Sequence, residues 1–435
     1  MKYKIFTLFL LTFLVSSLSA QDLSISGYIR DAASGEALIG ATLFAPDLER
    51  GTTTNEYGFY SLTFPATDTL NLVISFIGYT PQAKKLVLKE STKLDFDLDQ
   101  GSYLEEVTVS ANRTEDNVKK AQVGVINVPI QKIKQLPVIA GERDVFKVLQ
   151  FLPGVQQAQE GTSGFLVRGG SIDQNLVQLD EAVVYNPNHL FGLFSTFNIN
   201  ALNNVQLIKG GFSPKYGGRL SSIVDMTMRE GNKQTFEYEG GIGLLSANMT
   251  VEGPIKKDKA SFIVSGRRSY LDLILAPFTP KDKKGTTYKF YDLNAKVNVE
   301  LGKKDKLYLS GFSGSDNAAY TGANSINYGI DFGNQTGTLR WNHLFGNKLF
   351  SNTSFIVNNY HLSLGTTQGN YYAVLYTGID DVNFKTDFTY IPNFKHTVKA
   401  GASYFYHTLY PASFSAKVPK KGNRISITKD SIPQR

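Results

Sequence analysis

The chain has 435 residues, of which 42% are hydrophobic and 12% aromatic. This length favours two or three domains, and the mean hydropathy of −0.17 excludes both a helical membrane protein and a disordered chain. Cysteine is absent, which excludes disulfides, thiolate metal sites and a cysteine nucleophile. The net charge of +7 is spread along the chain rather than gathered on one basic face, so we expect no nucleic-acid partner.

The N-terminus has the pattern of a secretory signal peptide. Lys2 and Lys4 form a charged start, residues 5–15 form an apolar core, and small residues lead up to Ala20. The core is too short to cross a membrane as a helix, and no other run of about 18 apolar residues follows. We therefore expect residues 1–20 to be removed, the protein to be exported, and any membrane insertion to use a β-barrel.

Residues 21–100 are predicted to form a β-sandwich. Short alternating segments recur between turn residues, at a spacing of about seven strands in about eighty residues. No nucleophile is paired with a base here, so we expect a non-catalytic accessory module whose glycines serve turns and bulges. The clearest strands are residues 23–30, 41–45, 58–64, 70–76 and 94–98.

The most informative stretch is residues 161–229, which is dense in paired glycines and short β-type runs. It contains RGG at 168–170, DQNLVQLD at 173–180 and KGGFSPKYGGRLSS at 209–222. In this order the three motifs resemble the plug domain of TonB-dependent outer-membrane transporters, most closely the Bacteroidetes type. The match is long and ordered, which makes it specific.

The first domain carries a second resemblance. The order of its glycines is similar to that of the carboxypeptidase-regulatory-like fold, which often precedes the plug in Bacteroidetes-type transporters. The two resemblances imply a mainly β protein: a sandwich, a small mixed α/β plug at residues 121–232, and a transmembrane barrel that begins at residue 233. They also imply a gated transporter in the outer membrane, with the N-terminal domain in the periplasm.

The stretch between sandwich and plug resembles the TonB box, the extended segment that a periplasmic energy transducer grips. A partner strand needs an extended edge, which β-branched side chains favour. Residues 112–120 are charged and aperiodic, as a flexible tether should be. The alternative is that residues 104–109 form the last strand of the sandwich. The residues of the box are Glu105, Glu106, Val107, Thr108, Val109, Ser110 and Ala111.

Three arginines stand out in the predicted plug. The resemblance implies that Arg168 and Arg219, with Arg229 as a third candidate, pair with carboxylates on the inner barrel wall and hold the gate shut. An arginine in a restricted lumen gains from a bidentate carboxylate partner. The alternative is that these arginines are ordinary charges on exposed loops.

The plug also contains a polar and aromatic loop, residues 185–194. Tyr185, Asn186, Asn188 and His189 are candidates to face a ligand from this loop. His189 is more readily explained as a structural hydrogen-bonding residue than as a metal ligand.

From residue 236 onward the chain becomes a meander of about eight alternating strands with charged turns, which is typical of outer-membrane hairpins. A plugged lumen needs about 22 strands, so these strands are predicted to form the first part of a larger barrel. We expect an open sheet around the plug with Phe, Leu and Val on its convex, lipid-facing side.

No enzyme motif was found: the sequence lacks HExxH, a GxSxG elbow and a Walker loop. We therefore expect no catalysis and no cofactor. The expected function is import of a scarce nutrient, energised through a TonB-type transducer, with outer-membrane lipids as surroundings. One alternative is a surface binding or adhesion protein without import, and another is a secreted β-rich protein associated with a hydrolase. The nutrient, and whether a surface lipoprotein caps the barrel, stay open.

Overall fold

The computed structural model describes residues 22–66, 69–101, 124–135, 143–278, 280, 286–322, 326–393, 395–420 and 423–429. The predicted signal peptide and the predicted tether lie outside these residues. The chain divides into two compact units, which are residues 1–105 with 343–351 and 387–400, and residues 106–342 with 352–386 and 401–435. No helix in the described ranges is long and apolar enough to cross a membrane.

The first unit contains the β-sandwich. One sheet has the order β4-β1-β7 with β8 also paired to β1, and the other has the order β3-β2-β5-β6. Ile25 and Ile29 of one sheet share a buried core with Leu43 and Ile74 of the other. The strands are β1 (Leu23–Asp31), β2 (Thr42–Ala45), β3 (Arg50–Thr53), β4 (Phe59–Phe64), β5 (Leu70–Ser75), β6 (Gln82–Leu86), β7 (Thr92–Lys93) and β8 (Phe96–Leu98).

A turn from later in the chain, residues 343–351, belongs to the same unit. The ring of Phe350 stacks on Phe59 at 5.2 Å and on Tyr57 at 5.5 Å between centroids. The Ser61 hydroxyl donates to the carbonyl oxygen of Asn347 at 2.8 Å. The aromatic stacking of Phe350 and the hydrogen bond from Ser61 together hold this turn against β4.

The plug is built on a five-stranded mixed sheet with the order β13-β12-β17-β16-β9. Strands β12 and β17 are parallel and the other neighbours are antiparallel. Two β-hairpins, β10-β11 and β14-β15, flank the sheet. The strands are β9 (Val125–Pro129), β10 (Val155–Gln157), β11 (Phe165–Val167), β12 (Asn175–Leu179), β13 (Ala182–Val183), β14 (Asn188–His189), β15 (Phe194–Ser195), β16 (Leu202–Ile208) and β17 (Ser222–Met228).

Short helices complete the plug core. The helices α1 (Ile130–Gln135) and α2 (Val145–Leu149) bury Ile133, Phe146 and Leu149 against the sheet. The carboxylate of Asp144 accepts the backbone N–H groups of Phe146 and Lys147 and so caps α2. The mixed α/β core predicted for the plug is therefore present.

The remaining chain forms a ten-stranded sheet in sequential order from β18 to β27. A short helix, α3 (Leu271–Leu275), follows β20. The strands are β18 (Glu237–Ile242), β19 (Ser246–Lys256), β20 (Ala260–Ser269), β21 (Thr287–Glu300), β22 (Asp305–Thr321), β23 (Asn327–Leu344), β24 (Leu349–Gln368), β25 (Tyr371–Asn393), β26 (His396–Lys420) and β27 (Asn423–Lys429).

The two faces of this sheet differ in chemistry. Alternate residues of β21 such as Asp292, Asn294, Lys296 and Asn298 are buried and face the plug. The opposite face exposes large apolar side chains, as a lipid-facing strand surface does. These include Leu293, Leu309, Leu339, Trp341, Phe355, Val357, Val382 and Phe384.

Two expectations about the sheet have different outcomes. The prediction of an open sheet is confirmed, because the strand order starts at β18 and ends at β27 without closing. The sheet has ten strands where about eight were predicted, because β27 was not predicted and one predicted strand is in fact two. Residues 236–252 form two strands instead of one, since the N–H of Gly243 bonds to the carbonyl of Ser246 and closes a turn. Leu244 in that turn is 72% exposed, so apolar alternation alone did not reveal the break.

Candidate functional site

The candidate site is the polar interface between the plug and the inward face of the ten-stranded sheet. Both surfaces lie within the second compact unit. The buried side chains on the sheet face are mainly Asp, Asn, Lys, Arg and Ser, which need partners to be stable away from water. The plug supplies those partners at four places.

The first place is the turn between β12 and β13. The carboxylate of Asp180 forms an ion pair with Nζ of Lys296 at 3.0 Å, and it lies 3.9 Å from Nη1 of Arg340. Glu181 lies 3.5 Å from Arg340 and 3.9 Å from Lys385. Burial alone would raise the pKa of Asp180, but Lys296 and Arg340 outweigh burial and lower it. Two plug carboxylates thus face three cations of the wall.

The second place is His189 on β14, whose side chain is completely buried. Its Nε2 lies 2.6 Å from Oδ1 of Asp292, and its Nδ1 contacts Oδ2 of Asp316. Its ring stacks on Phe290 with 4.2 Å between centroids. Arg267 completes the cluster by pairing with Asp292 at 2.6 Å.

The charge of His189 follows from this geometry. Both ring nitrogens face carboxylates, and both can donate only in the imidazolium form. Burial would lower the pKa of His189, but the carboxylates of Asp292 and Asp316 outweigh burial and raise it. His189 and Arg267 then balance the two aspartates within one buried cluster.

The third place is the junction where the plug chain enters the sheet. Arg229 pairs with Glu252 of β19 at 2.7 Å, and Lys233 bridges Glu230 and Glu300, each at 3.2 Å. Gly231 between them has φ +82, and a side chain there would collide with the carbonyl group of Phe262.

A double-mutant cycle tests the Arg229–Glu252 pair. We expect a coupling free energy of about 0.5–3 kcal/mol, because the Glu252 side chain is only 5% exposed and would lose its partner in a buried place. The midpoints of chemical denaturation of the purified protein give this value. Arg268–Asp272 is the matched control pair, since Arg268 is half exposed and should couple by only about 0.3–0.5 kcal/mol. Equal coupling in the two cycles would contradict a structural role for Arg229.

The fourth place joins the loop at 185–188 to the wall. The Tyr185 hydroxyl donates to Oδ2 of Asp381 at 2.5 Å, and the N–H of Tyr185 donates to Oδ1 of Asn334 at 2.9 Å. The amide of Asn334 returns a bond to the carbonyl of Asn186 at 2.7 Å. The loop is thereby positioned by strands β23 and β25.

A cavity of about 420 Å³ lies beside this loop. Tyr185, Asn186 and Asn188 line it together with Arg219 and Tyr360. Oδ1 of Asn188 is buried without a hydrogen-bond partner among the described residues. Of the four residues predicted to face a ligand, three therefore line the cavity, whereas His189 is enclosed in its charge cluster.

The two arginines predicted as anchors lie elsewhere. Arg168 has a left-handed backbone with φ +49, and its exposed guanidinium lies beside Gly210 of the plug. Arg219 is exposed, donates to the carbonyl of Gly218 at 2.8 Å and lies near Asp173. In the described part of the chain no ion pair joins either of them to the wall, so their anchoring role stays a prediction. The box residues 105–111 lie outside the described residues.

Of the three candidate arginines, Arg229 does reach the wall, through Glu252. Sequence reasoning assigns no wall contact to Asp180 or Glu181, and it favours a structural hydrogen-bonding role for His189 without identifying its partners. One signal was available: a two-residue hairpin turn with φ above zero favours Asp-Gly, and this chain has Asp-Glu there. Among the described residues no group of three or more His, Asp and Glu side chains could hold a metal ion.

Comparison with known proteins bears on these features. Residues 25–109 match the CarboxypepD_reg-like domain, and residues 118–222 match the TonB-dependent Receptor Plug Domain. TonB-dependent receptor P26 of Formosa agariphila is 28% identical over 235 residues, which cover 50% of this chain and 22% of that protein.

One solved structure is similar in fold, and a second matches part of the chain more weakly. The copper transporter OprC matches with a TM-score of 0.50 and 12% identity, over 71% of this chain and 48% of OprC. The outer membrane transporter YddB from Escherichia coli matches with a TM-score of 0.43 and 12% identity, over 67% of this chain and 54% of YddB. The chain thus spans about half of OprC and under a quarter of P26. The chain therefore carries a CarboxypepD_reg-like domain and a TonB-dependent receptor plug domain, and it is similar to TonB-dependent receptors over the part that the comparisons cover.

Proposed function

We propose that this chain is the plug-bearing part of an outer-membrane transporter that imports a scarce nutrient and is energised by a periplasmic TonB-type transducer. The observation that carries the proposal is the charge-matched interface of plug and sheet. When the plug moves, its ion pairs can be exchanged for bonds to water, whereas apolar surface of the same area would be exposed to water at a cost in free energy. A polar interface of this kind suits a gate that must leave its seat.

The outer face of the sheet supports the proposed location. Its exposed Leu, Phe, Val and Trp side chains need a lipid phase, because an apolar face of this extent is unfavourable in water. In an outer membrane, short strand turns such as 256–259 and 301–305 would face the periplasm.

Energy coupling is proposed to act through residues 105–111. They lie between the sandwich and the plug, where a pull on the chain reaches the plug directly. The β-branched Val107, Thr108 and Val109 favour an extended strand that a transducer can pair with.

Ligand contact is proposed at the cavity beside residues 185–188. The rings of Tyr185 and Tyr360 offer apolar faces to a ligand. The Oδ1 of Asn188 offers a hydrogen-bond acceptor that has no partner among the described residues. Iron chelates, cobalamin, oligosaccharides and peptides are the candidate nutrients, and a surface lipoprotein is a candidate cap of the barrel.

A growth panel tests the proposal. Cells would receive each nutrient class as sole source of iron, cofactor, carbon or nitrogen, with the gene deleted, with the transducer deleted, and in the parent strain. The proposal predicts one nutrient for which both deletions abolish growth. Growth that needs the gene but not the transducer would favour the alternative, a surface binding or adhesion protein without import.

A further inference from the structure

The turn that joins β12 to β13 has an unusual composition for its geometry. Register pairs Leu179 with Ala182, which leaves Asp180 and Glu181 as a two-residue loop. Both have left-handed backbones, with φ +46 and +72. Hairpin turns of this shape favour glycine at the second position, because a side chain there is strained. Glu181 thus has a side chain at a position where the backbone conformation favours glycine.

The wall around the turn explains why a carboxylate is present. Lys296 of β21, Arg340 of β23 and Lys385 of β25 converge on the two acidic side chains. The Nδ2 of Asn352 on β24 donates to Glu181 at 2.8 Å, and the hydroxyl of Thr338 donates to the carbonyl of Asp180 at 3.2 Å. We call Lys296, Arg340, Lys385 and Asn352 the cationic socket.

The socket is almost closed to water while the turn is in it. The side chains of Lys296, Arg340 and Lys385 are 2%, 5% and 14% exposed. Three positive charges face the two negative charges of the turn, and Lys296 also lies near Glu230. If the turn withdrew, the three converging cations would lose the two carboxylates that face them, and buried charges that lose such partners are stabilised by water or by another anion.

We propose that the cationic socket is an anion-binding site of the sheet wall, filled at rest by the plug's own acidic turn. Its ligand would be a group with two or more negative charges, either a polycarboxylate or a phosphate. Arginine favours planar, bidentate contact with both groups, and the two lysines add point charges. The inference rests on the proposed function in one respect: in a transporter, the site would become available to an anionic solute when the plug moves.

Purified full-length protein in detergent tests the site without a transducer or a transport assay. The probes are citrate and inorganic phosphate at constant ionic strength, with chloride as reference, and the readout is calorimetric binding. The variant with Asp180→Asn and Glu181→Gln removes the internal occupant, so more protein is competent to bind. We expect its affinity to exceed that of the wild type by about tenfold or more, within the usual range for coupled sites. The stronger of the two probes would identify the preferred anion class.

Adding Lys385→Met to that variant should remove most of the gain. Lys289→Met is the matched control, because Lys289 lies exposed on β21 and should leave binding unchanged. Should the double variant fail to fold, Glu181→Gly keeps Asp180, supplies the residue that the turn prefers, and should give a smaller gain. Equal anion affinity in the wild type and in the folded variants would overturn the proposal, as would equal losses from Lys385→Met and Lys289→Met. These results concern anion binding and do not depend on nutrient uptake, so the growth panel tests the proposed function independently of them.

Discussion

Replacing His189 by leucine is expected to weaken the seating of the plug by about 3–5 kcal/mol, because it breaks a buried charge cluster from one side. Asp292 would keep its pair with Arg267, whereas Asp316 would lose the cation that His189 supplies. Leucine also loses both hydrogen bonds of the imidazolium, and the carboxylate oxygens would remain buried.

Chemical denaturation of the purified protein measures this loss as a lower midpoint for the plug. Cells carrying the variant should also admit large antibiotics, since a loosened plug leaves the lumen less blocked. His396→Gln is the control, because His396 is exposed at a turn and bonds only to Asn393 among the described residues. If both variants denature at the wild-type midpoint, His189 does not hold the plug.

The same cluster predicts a pH dependence with a defined sign. The pKa of His189 is raised above its ordinary value of 6.5, so the native protein binds this proton more tightly than the unfolded chain does. The stabilisation is complete below pH 6.5 and is lost as the pH rises through the raised pKa. In the wild type, the denaturant concentration at the midpoint of plug unfolding should therefore decrease as the pH is raised through the raised pKa of His189. In His189→Gln this part of the pH dependence should be absent.

Val107→Pro is expected to abolish nutrient uptake and to leave ligand binding intact. Proline removes a backbone donor and fixes φ, and both changes prevent the segment from adding as a strand to a transducer. The measurement compares uptake by whole cells with binding to isolated outer membranes. Val107→Ile keeps the backbone donor and the branched side chain, so it should behave as the wild type. Persisting uptake in the proline variant would place the coupling segment elsewhere.

Local sequence patterns sufficed for most of the fold. Apolar alternation in residues 23–30 and 58–64 predicted β1 and β4 to within one residue at either end. The same alternation separated the two faces of β21, with Asp292 inward and Leu293 outward. These features depend on neighbours along the chain, which is why one sequence reveals them.

The contacts between plug and wall could not be predicted in this way. Asp180 and Lys296 are 116 positions apart, and Glu181 and Asn352 are 171 apart. The side-chain period shows that Lys296 faces inward, but it does not show which plug residue lies opposite. The anchoring role of Arg168 and Arg219 follows from the resemblance alone, whereas the wall contacts of the acidic turn and of His189 are visible only in the structure.

Movement of the plug relative to the wall is the central claim, and a reversible tether tests it most directly. The side chains of Asn198 in the plug and Ser265 on β20 are hydrogen-bonded at 2.8 Å. The natural sequence contains no cysteine that could form a competing disulfide. In the variant with Asn198→Cys and Ser265→Cys, uptake of the nutrient found in the growth panel should stop on oxidation and return on reduction. Each single cysteine variant should import under both conditions. Undiminished uptake by fully cross-linked protein would contradict a gate that has to leave the wall.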